Sequence, residues 1–312
     1  ATFKRVDDAG NDKIETVKAR FAVGTDGGRS RVRKALGITL EGDSADKAWG
    51  VMDILLNTDF PDIRVKSFIQ SKDHGAVMTI PREGGYLIRF YVELDQIEKD
   101  TRAADLQLTE HDIIAKAQKI FHPYTLDVKE VAWWSKYSVG QRLANRFDNR
   151  AVDSSDEIIP RAFVAGDACH THSPKGGWGL NTSLPDTFNL GWKMAAVLQG
   201  KSKASLLATY STERRKVANQ LINADKELSI LVATRPVAGG ASQDAQVDTA
   251  KIEAFMKRQS GFVSGTSIEY FPSYICTGQG NQHLATGYKI GQRFHSVKAT
   301  RVSDGAHQHL GH

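Results

Sequence analysis

Residues 163–181, FVAGDACHTHSPKGGWGLN, carry the most informative combination of side chains and spacing in the chain. A strand predicted over 161–165 ends at Gly166 and Asp167, where glycine lets a ligand approach the backbone and a carboxylate can accept hydrogen bonds from a sugar-like polyol. The loop that follows leaves backbone N–H groups uncovered around Pro174, Gly176, Gly177 and Gly179. Because the next predicted helix points its positive end at the same place, the segment predicts a site for a flat, electron-rich ring with carbonyl oxygens.

Two other clusters of polar residues accompany apolar runs. Asp26 and Arg29 follow a predicted strand over 17–23. The stretch 78–92, MTIPREGGYLIRFYV, contributes Arg82, Arg89 and Tyr91. An Asp-Gly pair is usually a turn and a strand arginine is usually solvated, so composition alone assigns these residues no chemistry.

Histidine and cysteine residues do not predict a metal site. His170 and His172 form an H-x-H pair that can chelate, but the sequence places no third ligand beside them. His307, His309 and His312 form a similar cluster near the end of the chain. Cys169 is predicted to be a small buried residue, because no Cys–His geometry can be argued for it.

The segment 163–181, together with NTSLPDTFNLGWKMAAVL after it, closely resembles the second flavin-contacting motif of the FAD-dependent aromatic hydroxylases. These are the group-A flavoprotein monooxygenases, and the resemblance is greatest to their phenol 2-monooxygenase branch. It implies that Asp167 binds the flavin ribitol and that the backbone near Leu180 and Asn181 faces the N1 and O2 edge of the ring. Trp178 and Pro185 depart from the family pattern, in which Gln and an unbranched residue are common.

The other clusters resemble further motifs of the same family. Asp26-Gly27 with Arg29 is similar to the DG motif, whose Asp and Arg help to hold FAD and are implicated in NADPH use. The stretch 78–92 is similar to a substrate-domain segment, which implies that Arg82 and Tyr91 line the flavin and substrate pocket and that Arg89 meets an FAD phosphate. The resemblance of Trp133–Arg142 leaves two alternatives open, a packed sheet or a pocket wall to which Tyr137, Gln141 and Arg142 contribute.

The resemblance implies an activity and its partners. NADPH would reduce FAD, O2 would form a flavin C4a-hydroperoxide, and one oxygen atom would enter a small phenolic substrate ortho to its hydroxyl. A sister hydroxylase acting on 3-hydroxybenzoate or on a polyketide phenol is one alternative, and an inactive, FAD-free fragment or binding module is another. A homodimer is also expected.

Composition indicates the domain number and the kinds of partner that the protein has. The chain has 312 residues, of which 40% are hydrophobic and 25% charged, which is enough for two globular domains. Its net charge of +5 comes from scattered basic residues, so no nucleic-acid partner is predicted. The chain has no apolar run long enough for a membrane span, and its two cysteines suggest reduced thiols, so we expect a cytoplasmic protein without a membrane partner.

The chain also resembles a fragment. It lacks an initiator Met and any G-x-G-x-x-G, the turn that seats the FAD pyrophosphate in this family. Residues 264–294 resemble the bridge into a third, thioredoxin-like domain of phenol 2-monooxygenases. We therefore expect part of the nucleotide site, the general base and that third domain to lie outside these residues, and the chain alone to bind FAD poorly.

The fold class predicted is α/β (α+β), an FAD-binding domain with an inserted antiparallel sheet that binds substrate. The FAD-binding domain would comprise residues 1–42 and 140–235, the sheet domain 43–139, and a linker with a truncated C-terminal region 236–312. Predicted helices cover Arg31–Leu36, Thr109–Phe121, Ser183–Gly200, Leu207–Leu231 and a segment near Val247–Gln259. Predicted strands cover four runs between Trp49 and Leu94, and Val128–Val139.

Overall fold

A computed structural model describes residues 2–6, 10–43, 47–96, 106–138, 140–151, 158–231, 249–270, 272–276, 278–294 and 296–309. The predicted linker at 239–246 and His312 lie outside these ranges, as do Val139 and Val247. Within them, no helix combines the length and the apolar character that a membrane crossing requires.

The N-terminal residues form a hairpin and a separate short strand. Strand β1 (Thr2–Val6) pairs antiparallel with β2 (Asp12–Thr16), and β3 (Ala22–Gly24) belongs to another sheet. The prediction of a second strand over Val17–Val23 was therefore wrong. Residues 12–16 pair with β1 instead, and β3 lies parallel to the later strand β11 (Ala162–Val164).

A five-stranded antiparallel sheet confirms the strand predictions between Trp49 and Ser138. Its order is β6-β7-β8-β5-β9. The strands are β5 (Lys47–Asn57), β6 (Ser67–Ser71), β7 (Gly75–Pro81), β8 (Ile88–Gln96) and β9 (Asp127–Ser138). Apolar and polar residues alternate along β8: Ile88, Phe90, Val92 and Leu94 are buried in one cluster with residues of helix α2 (Glu110–Phe121). The intervening residues Arg89 and Tyr91 lie on the opposite face.

Helix α2 begins as predicted. The Thr109 side chain accepts a hydrogen bond from the Asp112 N–H, and the Asp112 carboxylate accepts one from the Thr109 backbone at 2.8 Å. This reciprocal capping satisfies donors that the first turn of a helix otherwise leaves open.

Around β3 and β11 lies a second core with its own helices. Its elements are α1 (Arg31–Ala35), β4 (Leu40–Asp43), β10 (Gln141–Ala144), β12 (His170–Thr171), α3 (Gly179–Leu198) and α4 (Ala208–Leu231). Strands β12, β10 and β4 form an antiparallel sheet, and Phe163, Leu190 and Tyr210 are buried in the core beside it. The domain boundaries at 42/43 and 139/140 stay a prediction.

Helix α4 matches the predicted amphipathic helix, but α3 does not begin where the sequence indicated. Its first residue is Gly179, four positions before Ser183. Asp186 cannot act as the capping partner of Ser183, because its carboxylate is fully buried and bonded to His170 and Arg214. Pro185 therefore lies inside the helix and cannot donate the usual hydrogen bond to the Asn181 carbonyl.

The C-terminal part contains one helix and one hairpin. Helix α5 (Thr249–Val263) ends beyond the predicted Gln259. Strands β13 (Lys298–Thr300) and β14 (His307–His309) pair antiparallel, with His307 and His309 exposed.

Candidate functional site

Strands β3 and β11 bring the two predicted ligand loops together. Gly24 pairs with Val164, and the Ala165 N–H donates to the Gly24 carbonyl at 3.0 Å. Because the strands are parallel, the loops that leave their carboxyl ends meet at one edge of the sheet, where ligands bind in folds of this kind. The contact is close: a Cβ on Gly28 would lie 3.2 Å from Thr171 Cγ2 and 4.0 Å from the Asp167 carbonyl oxygen.

Arg33 donates hydrogen bonds to both of these loops. Its guanidinium donates through Nη1 to the Ala168 carbonyl at 2.8 Å and through Nη2 to the Gly28 carbonyl at 2.9 Å. The residue is 5% exposed. Sequence analysis missed this role, since an arginine in the short helical run RVRKA has no feature that predicts two carbonyl partners.

Asp26 organises the start of α1. Its carboxylate accepts hydrogen bonds from the Ser30 hydroxyl, the Arg31 N–H at 2.7 Å and the Val32 N–H at 3.1 Å. Partial burial alone raises the pKa of Asp26, but the hydrogen bonds from Ser30, Val32 and Arg31 outweigh it and lower that pKa. Asp26 and Arg29 are both exposed at the loop, so the predicted role of this pair in holding a ligand stays a prediction.

Substitution of Asp26 should destabilise the loop in a pH-dependent way. Because its folded-state pKa lies below the ordinary value, the carboxylate stabilises the fold at neutral pH and loses that effect as the pH falls through the acid range. Asp26→Asn should cost about 1 kcal/mol at pH 7, the usual effect of losing helix-capping contacts. Thermal unfolding at pH 7 and in acid checks this, with Asp73→Asn in the exposed β6–β7 turn as control. A penalty as large in acid as at pH 7 would contradict the charge-based account.

Gly166 and Asp167 form a tight turn against α3. Gly166 has φ of 61°, and a Cβ there would lie 3.2 Å from the Ser183 side chain, so glycine is required. Its N–H donates to Asp186 Oδ2 at 3.3 Å. The Asp167 side chain is exposed at the loop edge, in a position to accept hydrogen bonds from a ligand.

The loop 173–177 is fixed at both ends. Asp225 on α4 accepts hydrogen bonds from the Ser173 N–H at 2.9 Å, the Ser173 hydroxyl at 2.6 Å and Gln141 Nε2 at 2.7 Å. The Gly177 N–H closes a turn onto the Pro174 carbonyl at 3.0 Å, and Gly177 has φ of 67°. Asp225 was not predicted as a site residue, although Gln141 was considered for one.

The departure at Trp178 has a structural explanation. The Trp178 ring is 3% exposed and lies 6.3 Å from the Phe255 ring of α5. A Cβ on Gly176 would come within 2.5 Å of the Trp178 ring, so the loop backbone lies directly on that ring. Gly179 has a similar constraint, since its Cβ would lie 3.0 Å from His172 Nε2.

The first turn of α3 faces the same loop. Trp178 is its N-cap residue and makes no side-chain capping hydrogen bond, and Leu180 and Asn181 are exposed. A helix of 20 residues whose N-cap side chain leaves the first N–H groups uncovered attracts electron-rich groups.

Arg89 and Tyr91 face away from the α2 side of the sheet. Arg89 forms a bidentate pair with Asp53, with both N–O distances 2.6 Å, and its guanidinium lies 5.5 Å from the centre of the Trp133 ring. The hydrogen bonds to Asp53 raise the pKa of Arg89. A phosphate at Arg89 would have to compete with Asp53, and the phosphate role stays a prediction.

Other predicted residues of the sheet domain have local partners. Arg82 Nε lies 3.0 Å from the exposed Glu83 carboxylate, beside the turn between β7 and β8. Trp133 lies in β9, pairs with Asp53 across the sheet and is 48% exposed, so the packed-sheet and pocket-wall alternatives both stay open for this part of the segment. The side chain of Tyr137 lies outside the described residues.

The Lys175 side chain brings the loop into contact with the sheet. Lys175 Nζ lies 5.9 Å from the centre of the Trp49 ring on β5. One face of the sheet carries every second residue of this part of β5, namely Trp49, Val51 and Asp53. Val51 pairs with Tyr91 on β8, and Asp53 pairs with Arg89. The face that carries Tyr91 is therefore the face that meets the loop.

Asp186, Arg214 and His170 form a buried network that sequence analysis did not predict. Arg214 Nε donates to Asp186 Oδ1 at 2.7 Å, and His170 Nε2 lies 2.8 Å from Asp186 Oδ2. Ligand atoms of Cys169, His170 and Asp186 lie within 4.8 Å of one another, but the Arg214 guanidinium already balances the Asp186 charge, which disfavours a cation there. Burial is the main cause that raises the pKa of Cys169 well above its usual value, which agrees with an inert thiol.

Comparison with known proteins identifies the family. The model of the FAD binding domain matches residues 3–225. The chain belongs to the FAD-binding domain family. It is 49% identical over 313 aligned positions to 3-hydroxybenzoate 4-monooxygenase of Comamonas testosteroni, covering 100% of this chain and 48% of that protein. It is 38% identical to phenol 2-monooxygenase fsqG of Aspergillus fumigatus, covering 93% of this chain and 46% of that protein. The chain thus spans about half the length of these curated relatives.

Solved structures confirm the predicted fold class. OxyS anhydrotetracycline hydroxylase from Streptomyces rimosus superposes with a TM-score of 0.69 at 24% identity, covering 99% of this chain and 56% of that one. CabE, an aromatic hydroxylase from angucycline biosynthesis, superposes with a TM-score of 0.67 at 25% identity, covering 98% of this chain and 56% of that one.

The described loops fit part of an FAD molecule. Asp167 offers exposed acceptors for the ribityl hydroxyls. The start of α3, whose N-cap residue makes no side-chain hydrogen bond, offers N–H donors to ring carbonyls. These features suit the ribityl and ring portions of the cofactor.

Proposed function

We propose that the protein is an FAD-dependent monooxygenase that hydroxylates a phenolic ring, with NADPH as its reductant. Family membership supports the cofactor, and both relatives described above are named as monooxygenases of phenolic compounds. The observation that carries the proposal is the Lys175–Trp49 contact, because it apposes the FAD loop to the sheet face that bears Tyr91.

The flavin side of the site is supported by Asp167 and α3. Asp167 would hold the ribityl chain, and the first turn of α3 would donate to the N1 and O2 edge of the ring near Leu180 and Asn181. Such donors stabilise negative charge where it develops during reaction. When bound, FAD supplies the redox chemistry that activates O2.

The substrate side is supported by the sheet face. Tyr91 lies on the same face as Arg89, which is itself fixed by Asp53, so the tyrosine hydroxyl lies beside an ordered ion pair. It would orient the phenolic hydroxyl for ortho attack, and Arg82 at the adjacent turn would complete the pocket. Orientation of this kind is worth a large part of a catalytic effect.

A hydroxybenzoate is the second candidate substrate. The relative at 49% identity is named for 3-hydroxybenzoate, and Lys175 places a cation where the loop meets the sheet. A benzoate carboxylate would interact favourably with that ammonium group. Measuring kcat/KM for phenol and for 3-hydroxybenzoate would distinguish the two candidate substrates.

Product formation measured against NADPH oxidation tests the proposal. The FAD-loaded protein is supplied with phenol, resorcinol or 3-hydroxybenzoate in separate reactions. We expect hydroxylated product in near-equal amount to the NADPH consumed for at least one of them. Failure to hydroxylate any phenol, with FAD bound and NADPH present, would contradict the proposed function.

A further inference from the structure

The Gly166–Asp167 turn is held from beneath by one buried carboxylate. Asp186 is fully buried and accepts a hydrogen bond from the Gly166 N–H at 3.3 Å. The same carboxylate is hydrogen-bonded to Arg214 Nε and to His170 Nε2. Any movement of Asp186 would move the acceptor of Gly166, the residue directly before the ligand-facing Asp167. The position of that turn therefore depends on what holds Asp186.

Arg214 holds Asp186 and also reaches away from it. This fully buried side chain donates through Nη2 to the Thr182 carbonyl of α3 at 3.3 Å and through Nη1 to the Tyr270 hydroxyl at 3.1 Å. Its planar fork can satisfy all these partners at once because its N–H groups have fixed directions.

Tyr270 belongs to the C-terminal segment, defined here as residues 266–270 and 278–294. Its backbone N–H donates to the Gly291 carbonyl at 2.9 Å, and Glu269 pairs with Gln292 in an isolated β-bridge. A continuous series of contacts thus runs from this segment through Tyr270, Arg214 and Asp186 to Gly166.

We propose that Tyr270, Arg214 and Asp186 are positioning residues that couple the C-terminal segment to the FAD-binding turn, so that FAD affinity depends on the Tyr270 hydroxyl. The inference rests on FAD binding at Asp167, as in the proposed function. It adds that a segment with no predicted cofactor contact sets the strength of that binding. Buried, fully hydrogen-bonded networks transmit such effects because each member has few alternative positions.

Tyr270→Phe is the primary test, since it keeps the ring and removes only the hydroxyl. We expect the FAD Kd to rise about twofold to thirtyfold, the range for substitutions along a coupling network. The visible circular dichroism of bound FAD should also change, because the turn beside the ribityl chain shifts. The melting temperature of the FAD-free protein serves as the measure of a merely structural effect.

Tyr274→Phe is the matched control. Tyr274 lies outside the C-terminal segment as defined above, and its side chain is 64% exposed. Removal of its hydroxyl should leave the FAD Kd and the dichroism unchanged. Equal effects of Tyr270→Phe and Tyr274→Phe would overturn the coupling, as would an unchanged Kd in Tyr270→Phe.

Arg214→Lys provides a second, independent test. A lysine keeps the charge but cannot bond Asp186, Thr182 and Tyr270 together, so the FAD Kd should rise further. Adding Tyr270→Phe to Arg214→Lys should then have no additional effect, because the link is already broken. Additive effects would contradict the proposal. These measurements use the full-length protein. Absence of FAD binding in its unaltered form would contradict this inference and the proposed function together, whereas normal catalysis with no change in these variants would contradict the inference alone.

Discussion

Asp167→Ala should weaken FAD binding by roughly 1–3 kcal/mol, because the ribityl hydroxyls lose a charged acceptor. That range corresponds to a Kd raised roughly fivefold to more than a hundredfold. The fold itself should be preserved, since the Asp167 side chain is exposed and Gly166 supplies the strained conformation of the turn. Equilibrium titration of FAD fluorescence measures the effect.

Two further substitutions sharpen this prediction. Asp167→Asn retains one acceptor oxygen and should weaken binding less than Asp167→Ala. Asp73→Ala removes an exposed carboxylate from the β6–β7 turn and should leave the affinity unchanged. Undiminished FAD affinity in Asp167→Ala would remove this residue from the site.

Tyr91→Phe should uncouple NADPH oxidation from hydroxylation. The substitution preserves the ring and removes only the hydroxyl of a residue on the face that meets the FAD loop. Hydroxylation should fall about a hundredfold, the effect of misplacing a reacting group by about 1 Å. Oxygen would then be released as hydrogen peroxide, because the phenol is poorly oriented. The measurement is product and peroxide formed per NADPH oxidised.

Tyr86→Phe is the appropriate control for that experiment. Tyr86 is a tyrosine in the turn before β8 and is 63% exposed. Its variant should retain the rate and the coupling of the unaltered protein. Unchanged rate and coupling in Tyr91→Phe with every accepted substrate would place Tyr91 outside the active site.

Local patterns in the sequence predicted most of the elements that carry the site. Alternation along β8 separates Ile88 and Phe90, which pack with α2, from Arg89 and Tyr91 on the other face. The capping pair Thr109 and Asp112 locates the start of α2. These features are predictable because they depend on residues only a few positions apart.

Long-range pairing explains what sequence analysis missed. Asp186 has the spacing of a capping partner for Ser183, but its carboxylate is bound to Arg214, 28 positions later, and α3 begins before Ser183, at Gly179. The sequence did contain one indication of this buried pair, because Arg214 falls on the apolar face of the predicted α4. A cation at such a position requires a buried partner, but its identity depends on how the helices pack.

The origin of the oxygen atom in the product is the most direct test of the proposed chemistry. The FAD-loaded protein is incubated with NADPH, a phenolic substrate and O2 labelled with a heavy isotope, and the product is examined by mass spectrometry. We predict that each hydroxylated product molecule carries one heavy oxygen atom on the aromatic ring. Hydroxylated product without the label, or complete consumption of NADPH with every phenol left unmodified, would contradict the account.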